Sequence, residues 1–104
     1  MIIMSKVVFK KSTNMKKKLM AIFFKFEEGE YKKVKTIHFG ASGMSDFTIH
    51  HDKSRRKRYI DRHKKNENWS DPMTSGSLSK HILWGNNISK KANIIAFKNK
   101  FGFE

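Results

Sequence analysis

The sequence predicts an α+β fold: a small three-stranded antiparallel sheet followed by two or three helices that cover one face of it. Three observations predict it. Over the first forty positions, short segments rich in β-branched and large apolar residues are separated by turn-forming ones, the pattern of strands in a meander. Beyond residue 52 the apolar residues recur at helical spacing. Between the two parts lies Gly40-Ala41-Ser42-Gly43, a short segment that favours neither pattern. A chain of 104 residues has room for one domain, divided here into a meander at 1–39, a loop at 40–51 and a helical part at 52–104.

"SKVVFKK" reads as the first strand, ended by the turn-forming triplet Ser12-Thr13-Asn14. "KKKLMAIFFKF" reads as a longer strand. Met20, Ile22, Phe24 and Phe26 share one of its faces, and Leu19, Ala21 and Phe23 share the other. Phe24 is the residue expected in the core. "EEGE", residues 27–30, is a hairpin connection in which Gly29 can take positive φ, and "YKKVKTIHF" follows as the third strand. "MSDFTIHHD" reads as a polar loop carrying Phe47 and Ile49. Asp52 is placed to cap a helix running to residue 68, with Arg56, Tyr59, Ile60, His63 and Glu67 on one face. Asp71-Pro72 stops it. Ser75 or Ser77 starts a second helix, "SLSKHILW", which Gly85 ends. Ser89 caps a third with an Ile94, Phe97 and Phe101 stripe, and Gly102 terminates it.

The net charge of +14 points to a polyanionic partner, with nucleic acid first and an anionic membrane surface second. Residues 1–52 carry +5 and residues 53–104 carry +9. Lysine-rich, alanine-poor composition is also what an AT-rich genome encodes, so the nineteen lysines are weak evidence. The four arginines are stronger: Arg55, Arg56, Arg58 and Arg62 fall within eight residues. Arginine offers a planar fork of donors matched to phosphate, where lysine offers a point charge. Across 53–65 eight basic residues face Asp61 alone, unlike the mixed signs of an ordinary solvated helix. The expected contact residues are Lys53, Arg55, Arg56, Lys57, Arg58, Arg62, Lys64 and Lys65.

Other chemistry is thin. Without cysteine there is no disulfide or thiolate framework, which suits a reducing compartment. The apolar run Leu19–Phe24 is too short for a signal core or a membrane span, so neither secretion nor membrane insertion is expected. The five histidines lack H-x-x-x-H spacing, and no metal or other cofactor is expected. His50-His51 followed by Asn66 is similar to part of a ββα-metal nuclease, but a downstream third ligand is missing. "GASG" departs from a nucleophile elbow because Met44 replaces the second glycine; a tight bend is the expected role. Trp69, Trp84 and Tyr59 are expected to pack rather than to stack on bases.

Residues 35–85 also resemble a known group. The words "KTIHFGA", "G-x-x-D-x-T", "H-x-D-x-x-R-x-x-RY", "RH-x-x-x-ENW", "DP-x-T-x-G" and "LS-x-x-ILW" run in order through them. They are similar to a family of small basic uncharacterised proteins encoded by giant nucleocytoplasmic large DNA viruses. Met44 stands where that family usually has an aromatic, and His81 where it usually has Trp, which implies that position 81 packs. The resemblance implies a viral source and residence in the virion and the infected cell. With the basic cluster, the expectation is a non-enzymatic protein with no small-molecule substrate that binds nucleic acid, DNA before RNA, through its phosphates with little sequence preference. Genome packaging or nucleoid association would be its setting. The alternative is a minor capsid-associated protein that binds acidic protein partners.

Overall fold

The computed structural model describes residues 5–104; residues 1–4 of the expected meander lie outside the described part. Strands β1 (Ser5–Lys11), β2 (Lys17–Glu27) and β3 (Glu30–Ala41) form an antiparallel sheet in the order β1-β2-β3. Helices α1 (Phe47–His50), α2 (Lys53–His63), α3 (Ser75–Leu78) and α4 (Lys90–Phe101) follow, and a π turn (Ser79–Leu83) continues α3. This is the α+β order that the sequence predicts.

The β2–β3 hairpin closes through Glu28-Gly29, with φ of 54° and 81°. Positive φ at both turn residues matches the twist of the flanking strands, and Glu27 pairs with Glu30 directly across the turn. In the β2–β3 register, Phe23 pairs with Lys35 but Phe24 pairs with Lys33, so Val34 is an extra residue on β3. The β1 edge is covered by the end of the chain. Val7 N–H donates to Glu104 O at 3.1 Å, and Glu104 N–H donates to Ser5 O at 2.9 Å.

The core lies between one face of the sheet and the later helices. Val7, Ala21, Phe23 and Phe39 meet Leu78, Ile82, Leu83 and Phe97, all fully or almost fully buried. Phe9 stands edge-on to both Phe39 and Phe97, and Phe103 stacks on Phe97 while packing edge-on to Phe23. Phe24 is therefore not the core residue. Strand alternation puts it on the opposite face with Met20 and Ile22, half-exposed, because the helices cover only the Phe23 side.

Two other expectations change. The polar loop after β3 contains α1, whose first turn is capped by Asp46; its Oδ1 accepts Thr48 N–H at 2.9 Å. Ser75 starts α3 as expected, and Thr74 just before it is the cap, accepting Ser77 N–H at 3.0 Å. The helix begun there then widens, with Trp84 N–H donating five residues back to Ser79 O at 3.0 Å. The third helix agrees: Ser89 Oγ accepts Ala92 N–H at 3.2 Å, and Gly102 ends it in the left-handed region.

Gly40 shows why a glycine stands at the end of β3. Its φ is +78°, and a Cβ there would lie 2.6 Å from a Leu83 methyl carbon. The small residue lets the strand end close against the π turn. Ser42 N–H then donates to Lys16 O at 2.9 Å, completing the bend that GASG was expected to make.

Candidate nucleic-acid interface

Helix α2 starts where the sequence places it. The Asp52 carboxylate accepts Ser54 N–H at 2.9 Å and Arg55 N–H at 3.2 Å. Those bonds, Arg55 N–H foremost, hold its carboxyl below the usual carboxylate range. Arg62 and His63 occupy the last turn, where positive charge suits the helix dipole. The helix ends at His63, five residues short of the expected 68. Lys64 N–H closes it on Ile60 O, and the chain turns at Asn66. Glu67 thus leaves the helix and lodges against Gly76, where an added Cβ would meet its carboxylate at 1.8 Å.

The eight predicted basic residues divide. Lys53, Arg55, Lys57, Arg58 and Arg62 are exposed on the helix, and Lys64 and Lys65 are exposed in the turn beyond it. Asp61 pairs with Lys57 at 2.7 Å and with Lys64 at 3.7 Å. The Lys57 bond leads in keeping the Asp61 carboxyl low. Among the described residues, Lys53, Arg55, Arg58, Arg62 and Lys65 have no carboxylate partner. Arg55, Arg58 and Arg62 line one groove of about 190 Å³ with Met44, Ser45 and Trp84, and no acid lines it.

Arg56 does not belong to this outer set. Its Nε donates to Trp84 O at 3.0 Å and to Gly85 O at 2.9 Å, and its Nη2 donates to Asn86 Oδ1 at 2.7 Å. Its guanidinium also lies 5.7 Å from the Phe47 ring centre. Helical spacing aims it inward with Tyr59, Ile60 and His63, which are all half-buried. Tyr59 stacks on Trp84 with centroids 4.2 Å apart and planes 2° apart, and on His63 at 4.3 Å. Burial, aided by the Glu67 charge, pushes the Tyr59 phenol up to about 12. The inner face is thus an aromatic and guanidinium anchor.

Two anchoring residues carried no expected role. Asp46 is buried; besides Thr48 N–H it accepts the Thr48 hydroxyl and pairs with Lys18 Nζ at 2.6 Å, tying α1 to β2. An Asp two residues before a Thr, ahead of apolar residues, is a capping signal present in "SDFTIH". His50 Nδ1 accepts Asp52 N–H at 2.9 Å, while its buried Nε2 has no partner. Burial lowers its pKa. His50 orders the entry to α2, and His51 caps α1 in the left-handed region. No cluster of three or more His, Cys, Asp or Glu that could hold a metal occurs among the described residues. Nor, among them, is any helix long and apolar enough to cross a membrane.

The fold and the site together define a small α+β protein that presents a cationic helix anchored by an aromatic inner face. The chain belongs to a family of unknown function, DUF5754, whose model matches residues 7–63. That span runs from within β1 to the last residue of α2, and so includes all of the sheet but the first two residues of β1, and the whole arginine helix. No curated protein and no solved structure matches the chain.

Proposed function

We propose that the outer face of α2 binds the phosphate backbone of nucleic acid, DNA before RNA, without catalysis and with little sequence preference. One observation carries this reading. Arg55, Arg58, Arg62, Lys53 and Lys65 are exposed, with side chains that have no carboxylate partner among the described residues, on or just beyond a helix whose other face is held by packing. Their mutual repulsion is relieved by an extended polyanion, which needs no induced fit from a helix already fixed in place. Phosphate contacts of this kind position a protein without reading bases. With the family resemblance, the setting we favour is genome packaging in a DNA virus.

The test is a salt titration against one fluorescent duplex. Engagement of about five phosphates gives a log–log slope near −4.5, and affinity falls several-hundredfold from 50 to 200 mM salt. Arg55→Ala/Arg58→Ala/Arg62→Ala flattens the slope by up to about three units, and scrambled duplexes bind equally. Replacement of the three by Lys keeps most of the slope. Equal slopes for wild type and the alanine variant would remove α2 from the binding surface and favour acidic capsid proteins as its partners.

A further inference from the structure

A second set of cations converges on the far side of Arg56. A cavity of about 140 Å³ is lined by Arg56, Lys80, His81, Asn86, Asn87 and Lys100, closed by Asn93, Phe97 and their neighbours, and no Asp or Glu lines it. We propose that this cavity is a binding site for a single phosphate group, distinct from the outer face of α2. Its volume is that of a few water molecules, the scale of one tetrahedral oxyanion.

The geometry supplies the parts of such a site. Arg56 is held by its bonds to Trp84 O, Gly85 O and Asn86 Oδ1, which leave Nη1 without a partner among the described residues. A guanidinium fixed in advance gives up little freedom when it grips an oxyanion. Asn86 spends its Oδ1 on that arginine, so its amide remains a donor. Lys80 and Lys100 have no carboxylate partner among the described residues. Their contacts are aromatic: Lys80 lies 5.2 Å from the Trp69 ring centre and Lys100 5.8 Å from that of Phe101. Neither contact neutralises the ammonium it touches.

The electrostatics agree. Burial, then the charges of Lys100 and Arg56, depress the Lys80 ammonium. Burial also lowers His81, and Lys80 and Lys100 lower it further against a bond to Trp69 O that raises it. A half-buried ammonium facing other cations gains from an anion that joins it. Asn93 braces the wall, as Nδ2 donates to Ile82 O and Asn87 O at 2.8 Å each and Oδ1 accepts Asn87 N–H at 3.0 Å.

The experiment titrates the protein with inorganic phosphate against chloride at matched ionic strength, following the Gly85 and Asn87 backbone amides and the Asn86 side-chain amide by NMR. Wild type should show saturable shifts. Lys80→Gln/Lys100→Gln should weaken binding roughly tenfold or more, the loss of two charge-assisted bonds, and Arg55→Ala/Arg58→Ala/Arg62→Ala should leave it unchanged. Lys100→Gln alone, at an exposed position, repeats the test without disturbing the core. A duplex arm separates the sources of the phosphate. No response to free phosphate, with duplex affinity lost in the lysine variant, would assign the cavity to a backbone phosphodiester of the same chemistry. Weak linear shifts in wild type and variant alike, with unchanged duplex affinity, would overturn the proposal and leave the reading of α2 standing.

Discussion

Arg55 and Arg56 are neighbours in sequence and opposites in structure. The Arg55 guanidinium stands in solvent with those of Arg58 and Arg62 and, among the described residues, pairs with no carboxylate. Arg56 spends its donors on the Trp84 and Gly85 carbonyls and on Asn86. The difference is a rotation of about 100° per residue around the helix. It teaches that a run of one residue type need not be one functional unit. On α2, charge density is a property of the outer face, whereas the inner face uses a guanidinium to satisfy backbone carbonyls left by the π turn. The sheet repeats the division, with Phe23 buried under the helices and Phe24 on the uncovered side.

The largest effect that tests this inside–outside division is in the sheet. Phe23→Ala should cost about 3–5 kcal/mol, a large share of a small domain's stability, with Phe24→Ala costing clearly less. Equal losses in thermal or urea unfolding would show that the Phe24 face is covered as well.

On α2 the expected effects are smaller. Arg56→Ala leaves two carbonyls without their donor and should cost about 1–3 kcal/mol, while Arg55→Ala should stay within about 0.5 kcal/mol. Conversely, Arg55→Ala should weaken duplex binding. Urea unfolding and duplex titration of the two single variants check both halves, and equal stability losses would erase the distinction between the faces.

The smallest effect is in the pH dependence. His81 packs against Phe97 and Phe101, Nε2–H donates to Trp69 O at 3.1 Å, and burial leads in lowering its pKa. The folded state therefore binds fewer protons than the unfolded state just below the ordinary histidine pKa of about 6.5. Stability is full above that pH and declines as pH falls through it toward the depressed folded value. His50, lowered chiefly by burial, acts in the same direction. The melting temperature should drop between pH 7.5 and 5.5, and His81→Phe should show a smaller drop. An identical drop in the variant would assign the dependence to other groups.

Local chemistry made much of this protein legible in its sequence. Apolar segments bounded by turn residues located the three strands, the paired glutamates around Gly29 located the hairpin, and Asp52, Ser89 and Gly102 marked helix ends because caps act within a few residues of themselves. The arginine cluster was equally plain, and helical spacing already grouped Arg56 with Tyr59, Ile60 and His63. Tertiary structure decided the rest. Periodicity divides a strand into two faces but does not say which face the helices will cover, so Phe23 and Phe24 were equivalent until α3 and α4 docked. Glu67 leaves the helix to lie against Gly76, and the inward role of Arg56 depends on carbonyls 28 and 29 residues further on. Lys80 and Lys100 face a common cavity with Arg56 only because the π turn and α4 pack together. Such contacts join residues far apart in the chain, and no short stretch of sequence contains both partners.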